Sequence, residues 1–271
     1  AYGTGDKPVI TPETRADRAY TNSMFKLFSP KTGKWRTVSG LEFRGEYDPE
    51  TERGLSGYAA AINNEQWQLT GGGGFTLYHD LSMSGLDRNL NASGDQNGNP
   101  HHHMTVDCET NGWRDFGCFG GGEGQRQALV GCKFVQKPNV PNRGAKDDVR
   151  NTHGPIRISD GAYVFVSQMD LFSRNHWDGN DQPCLRLFSE CAAGQAAHVE
   201  RCTMEGGAGI LQLARREGGA AFATNIRVMN NLFISSAYTN TFIEISRSGI
   251  TIHDNIMVRN DAEKLIATSN T

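Results

Sequence analysis

The chain has 271 residues, a formal net charge of −3, 37% hydrophobic and 21% charged residues, and 32 glycines, well above the usual glycine share of roughly 7%. Recurrent Val, Ile, Leu and Phe exclude a disordered chain, and glycine in every long helical window excludes a coiled coil. No apolar run reaches the ~18 residues of a membrane helix and no basic tract marks a nucleic-acid partner, while the length fits one elongated all-β domain as well as one or two ordinary ones.

The opening segment Ala1-Tyr2-Gly3-Thr4-Gly5-Asp6-Lys7-Pro8-Val9-Ile10 has neither the basic nor the apolar stretch of a secretion signal, as in a mature or trimmed chain. Beyond it, period-two alternation dominates and short strands recur. The first clear copy is Val38-Ser-Gly-Leu41-Glu-Phe43, with looser copies from Leu77 to Met83 and from Met104 to Glu109. Leu129-Val-Gly-Cys132-Lys-Phe134 restores the pattern, a looser copy runs from Val166 to Phe172, and Val199-Glu-Arg-Cys202-Thr-Met204 follows. Ile226-Arg-Val228-Met-Asn-Asn231-Leu-Phe233 then aligns with Ile250-Thr-Ile252-His-Asp-Asn255-Ile-Met257 at an offset of 24 residues. A further strand per unit is predicted at Pro155 to Ile158, Cys184 to Leu187, Ile210 to Leu213 and Phe242 to Ile245.

Three short strands per repeat predict a parallel β-helix, whose core is buried only by stacking neighbouring turns and whose extra residues emerge as loops on one side. Those insertions are expected at Asp87 to Pro100, Asn139 to Thr152 and Asn175 to Pro183. One interior column should read Leu41, Leu81, Cys132, Asp170, Cys202, Asn231, Asn255, with the Asn pair stacking amide on amide and the cysteines serving as small core residues. The even count of 6 cysteines includes no CxxC and no zinc spacing, so the redox compartment stays open. Cys184 and Cys191 flank a strand, and geometry decides whether they pair in an oxidising compartment. The glycine runs Gly71 to Gly74 and Gly120 to Gly124 lack a phosphate-loop lysine and read as coil corners. Trp35, Trp67, Trp113 and Trp177 each lie near a glycine and are expected in loops or corners.

The repeat units, the Asn-Asn turns and the glycine-rich corners resemble the right-handed parallel β-helices of the pectate-lyase-like superfamily over most of the chain. The resemblance implies a right-handed coil of about eight turns, here taken as a single domain over residues 1–271. The segment from Tyr2 to Ile10 resembles an internal turn rather than a cap, and the chain stops one strand after a regular turn. An uncapped coil end is a pairing edge, so the expected chain is a segment of a longer protein or one whose ends are covered by flanking domains or self-association.

Candidate chemistry gathers on the third strand of each unit, whose outward residues should be Arg157, Arg186, Gln212 and Glu244. Two arginines on neighbouring turns repel unless an anion or carboxylate bridges them; Asp178, Asp181 and Glu190 are the internal candidates, and an acidic polysaccharide is the external one. Asn151 to Ile158 together with His176-Trp177-Asp178-Gly179-Asn180-Asp181 resembles the active-face layout of β-helix polysaccharide enzymes. The polygalacturonase branch has a carboxylate near the place of His153 and a paired carboxylate one turn on; with His153 and a broken Asp178/Asp181 pair, hydrolysis by two opposed carboxylates does not fit. The resemblance therefore implies a lyase, with Arg157 and Arg186 neutralising a uronate and His153 or His176 removing its C5 proton. Trp177 would stack on a sugar ring or cover a core edge.

Two calcium candidates remain. Asp178 and Asp181 form one; the other, Asp87-Arg-Asn89-Leu-Asn91-Ala-Ser93-Gly-Asp95, alternates oxygen ligands but has Ala92 and Gly98 where a calcium loop needs Gly and Glu. In His101-His102-His103 only His101 and His103 can share a strand face, and no third metal ligand is evident. Asn91-Ala92-Ser93 is a glycosylation sequon. The functional expectation is an extracellular carbohydrate-active protein that binds or cleaves an acidic polysaccharide; the alternative is a structural or adhesive β-helix such as a tailspike or surface-fibre segment, since the fold serves both.

Overall fold

A computed structural model describes residues 5–11, 25–26, 35–45, 47–48, 53–54, 60–63, 74–93, 102–135, 154–173, 183–188, 196–206, 209–214, 225–235, 239, 241–245, 249–259 and 264–268. Among them there is no helix, and the strands stack in register into three all-parallel sheets wound as a parallel β-helix. Tyr47–Asp48 and Arg53–Gly54 form a small antiparallel pair apart from the coil.

The first sheet stacks Trp35–Ser39, Phe75–His79, His102–Val106, the end of Glu109–Val130, the end of Ile156–Ser167, Ala196–Glu200, Asn225–Met229 and Ile250–His253. The second sheet begins after a two-residue corner following each of these and includes Glu42–Arg44, Lys133–Val135, Thr203–Gly206 and Leu232–Ile234. Ala60–Asn63, Leu185–Phe188, Gly209–Ala214, Thr241–Ile245 and Lys264–Thr268 belong to the third. Alternation sends one side chain of each pair into the coil, so Val164 and Val166 are buried while Tyr163 and Phe165 face out. Phe43, Tyr78, Phe134, Phe233 and Phe242 are fully buried, each contributing roughly 1.5–3 kcal/mol by leaving water.

Between the first and second sheets every turn passes through the same left-handed corner: Gly40, Asp80, Asp107, Gly131, Gln168, Arg201, Asn230 and Asp254 all have φ between 50° and 67°. Glycine and Asp or Asn tolerate that conformation best; Gln168 and Arg201 hold it at a steric cost. The residue after each corner points inward, giving the column Leu41, Leu81, Cys108, Cys132, Met169, Cys202, Asn231, Asn255. Asp170, expected in this column, is instead exposed and opens the second-sheet strand opposite Lys133 and Thr203. Its unit was anchored on Phe172, one residue beyond the buried Leu171 that matches the other units.

From Cys108 onward the column carries hydrogen bonds from turn to turn, in which sulfur and amide groups serve alike. The Cys108 N–H donates to Cys132 Sγ at 3.5 Å and the Cys132 N–H to Met169 Sδ at 3.4 Å. Cys202 N–H then donates to Asn231 Oδ1 at 3.0 Å, and Asn231 N–H to Asn255 Oδ1 at 2.9 Å. The thiol and amide groups of the column donate as well. Asn231 Nδ2 reaches Val199 O at 3.0 Å and Asn255 Oδ1 at 2.9 Å, while Cys202 Sγ reaches Glu200 O at 3.2 Å. The expected Asn stack and core cysteines are thus one device that satisfies the buried corner amides.

One insertion is placed differently from expectation. Asp87 to Ser93 is strand, the last part of Ser82–Ser93, and pairs with Ala60–Asn63 and with Glu109–Val130. Asn89 turns into the coil, and its Nδ2 donates to Met83 O at 3.4 Å and Gly112 O at 3.2 Å, while Asp95 of the expected calcium loop lies outside the described residues. Trp113 also departs from its expected corner: it is 1% exposed within Glu109–Val130. The insertions at Asn139 to Thr152 and Asn175 to Pro183 lie, except Pro183, outside the described residues, as do Trp67 and Trp177.

Candidate functional site

Ile156 and Ile158, and one turn later Leu185 and Leu187, are at most 2% exposed, which turns the alternate residues Arg157 and Arg186 outward. Their Cα atoms are register partners, and the column continues through Gln212 to Glu244. All four side chains are half-buried. The entry to both arginine strands is fixed by backbone contact: a Cβ on Gly154 would lie 1.8 Å from Pro183 O, so only glycine lets the two turns approach here. Cys184, just before Leu185, is a buried thiol donating to Glu205 O at 3.1 Å and Gly206 O at 3.3 Å. Cys191 lies outside the described residues.

The column is polarised. Gln212 Nε2 donates to Glu244 Oε2 at 2.7 Å, closing an amide–carboxylate pair at one end. At the other, burial and then the adjacent Arg157 guanidinium pull the Arg186 pKa down to about 10, against the opposing pull of Glu244. The two guanidiniums rise from strands one rung apart, about 4.8 Å at the backbone, and their charge suits carboxylates. Of the other residues singled out from the sequence, His153, His176, Trp177, Asp178, Asp181 and Glu190 lie outside the described residues, so the structure brings together only the arginine pair. His103 is 4% exposed and inside the coil, whereas His102 faces out; His101 lies outside the described residues. Among the described residues no cluster of His, Cys, Asp or Glu could hold a metal, and no helix is long and apolar enough to cross a membrane.

A second outward column escaped the sequence reading. On the first sheet Trp35, Phe75, His102, Arg126 and Tyr163 are consecutive register partners. Trp35 and Phe75 have ring centroids 4.3 Å apart at 30°, Phe75 and His102 stack at 6.2 Å, and the Arg126 guanidinium sits 5.0 Å over the Tyr163 ring. Beside this column runs a groove of about 500 Å³, lined also by Phe165 and His198. Burial, and after it the Arg126 charge, lowers the His102 pKa, so its ring is neutral at pH 7. The signal was present in the sequence, since Trp35, Phe75 and Tyr163 each stand three residues before an inward repeat residue, Val38, Tyr78 and Val166. Aligning the units on inward residues passed over it.

No protein-family model matches the chain, and neither a curated protein nor a solved structure shows significant similarity to it.

Proposed function

We propose that this β-helix is an extracellular carbohydrate-active protein that binds an acidic polysaccharide on its third sheet, in a coil of the right-handed sense that about 98% of parallel crossovers adopt. One observation carries the reading: Arg157 and Arg186 are register partners on adjacent turns, half-buried, with the Arg186 proton affinity depressed by burial and by its neighbour. A partly desolvated pair of cations gains most from a ligand that brings carboxylates, and uronates repeated along a chain supply them at intervals. The chemistry open to such a face is β-elimination. The guanidiniums neutralise the uronate carboxylate and acidify C5–H. His153 or His176 takes that proton, the C–H electron pair forms the C4–C5 double bond, and the C4–O bond breaks with its electrons going to the departing sugar. Asp178, Asp181, Trp177 and Glu190 are proposed as substrate contacts, with Asp178 and Asp181 as the calcium ligands.

The test is incubation with polygalacturonate, alginate and hyaluronate, with and without calcium, following ultraviolet absorbance from unsaturated products and binding by calorimetry. Binding weakened at least tenfold in both Arg157→Ala and Arg186→Ala supports the reading, and an absorbance signal lost in both establishes the lyase. No binding by the wild type, or binding unchanged in both variants, moves the assignment to a structural or adhesive coil.

A further inference from the structure

We infer that the first-sheet column from Trp35 to Tyr163 is a second ligand site, a strip along the coil that takes an acidic polysaccharide. The inference shares the ligand class of the proposed function but none of its residues. Trp35 is 77% exposed, Tyr163 42% and Phe165 38%, a large apolar exposure concentrated on one face. These rings are ordered rather than scattered: Trp35 and Phe75 pack with centroids 4.3 Å apart and planes tilted by 30°, and Trp35, at the end of the stack, keeps most of its ring surface in solvent. An exposed ring face is the negative side of the ring quadrupole and packs against the partly positive C–H surface of a sugar ring. Arg126, over the Tyr163 ring, adds a positive charge two rungs beyond Phe75, and Arg227 stands exposed in the neighbouring column beside His198. Neither of these two outward columns contains an Asp or Glu among the described residues; Glu200 stands in the third outward column, at the corner edge.

The face is therefore apolar in area and cationic in sign. That combination suits a polymer whose pyranose rings supply C–H surface and whose carboxylates repeat along its length. A polymer running along the coil axis meets one rung every 4.8 Å or so, which gives repeated contact without a deep pocket. Two facts separate this strip from the arginine pair: it lies on a different sheet, and its Arg126 sits over a tyrosine ring, whereas Arg157 and Arg186 are register partners that repel one another.

The experiment titrates the folded full chain with hexagalacturonate, and with cellohexaose as the uncharged comparison, using calorimetry and tryptophan fluorescence. It is run on wild type, on Trp35→Ala/Arg126→Gln, on Arg157→Gln/Arg186→Gln and on the four-fold variant; thermal melts show that each is folded. Binding that persists in Arg157→Gln/Arg186→Gln and weakens at least tenfold in the four-fold variant, with cellohexaose bound more weakly than the uronate, supports the strip. Absence of binding in Arg157→Gln/Arg186→Gln, or equal binding in that variant and the four-fold one, overturns it. The first of these, if wild type binds, leaves the third-sheet reading intact. Strip binding with no effect of the Arg157 and Arg186 changes instead sinks the third-sheet reading alone. Sedimentation closes the remaining outcome: if Trp35→Ala converts an oligomer to a monomer, the strip is a contact between copies and the inference fails.

Discussion

Replacing Asn231 by alanine isolates what the corner ladder contributes. The side chain is 2% exposed, accepts from the buried Cys202 N–H at 3.0 Å, and donates to Val199 O at 3.0 Å and Asn255 Oδ1 at 2.9 Å. Alanine strands the Cys202 N–H, at about 1–3 kcal/mol, and removes two further bonds worth about 0.5–1.5 kcal/mol each. The expected loss is about 3 kcal/mol. Asn231→Cys should lose only about 1 kcal/mol, because cysteine already fills the same place at Cys132 and Cys202, where its sulfur accepts from the preceding turn and donates to a carbonyl. Guanidinium unfolding followed by fluorescence and circular dichroism gives the first measure. Stacked turns need not unfold in one step, so exchange of the Cys202 amide gives the second, with an acceleration of about a hundredfold for alanine. Equal losses for Ala and Cys, or a loss under about 1 kcal/mol for Ala, would refute hydrogen bonding as the ladder's contribution.

Glycines along the coil separate strain from collision. Gly40→Ala, at φ 67° with nothing within 4 Å of the added carbon, should cost about 1–2 kcal/mol, whereas Gly206→Ala, at φ 83° with Ser173 O at 2.0 Å, should cost clearly more; equal melting temperatures would contradict this. Burial pushes the Cys118, Cys184 and Cys202 thiols from 9.0 up to about 12, so a disulfide reagent at pH 8 should leave them untouched until the chain unfolds. The same shift has a sign. The folded state holds these protons more tightly than the unfolded one, so the stability they contribute is complete below about pH 9 and is lost as pH rises towards 12. Denaturant midpoints at pH 8 and 11 should show it, less steeply in Cys202→Ala. Arg186 runs the other way: with its pKa lowered from 12.5 to about 10, the unfolded state binds the extra proton in that window and stability from this group rises with pH. Arg157→Gln should flatten that rise in the same titration.

The coil was legible because Ile226 and Ile250 belong to turns 24 residues apart, and a residue that stacks on its own successor must repeat with the pitch. It blurred where polar groups turn inward. Asn89 is buried among strands yet reads as a loop residue, because a hydrophobicity pattern cannot register an amide satisfied by Met83 and Gly112 carbonyls. Trp113 misled for the opposite reason: the adjacent Gly112, at φ 69°, marks a bend, but the ring next to it packs inside. Arg157 and Arg186 could be placed from the sequence because isoleucines and leucines on both sides fix their direction. The Trp35-to-Tyr163 column could not be, since its members share no residue type and only the register joins them.

The corner ladder also has a direction in time. Each corner N–H is satisfied by a side chain belonging to the turn synthesised after it, Cys108 by Cys132, Cys132 by Met169 and Cys202 by Asn231. A chain emerging from the ribosome therefore always carries one open amide at its newest corner, closed when the following 24 to 37 residues arrive. Loops of that length close at little entropic cost, so winding can keep pace with synthesis, each turn sealing the one before it. The newest turn is the vulnerable one, and a pause in translation prolongs its exposure while the turns already sealed stay closed.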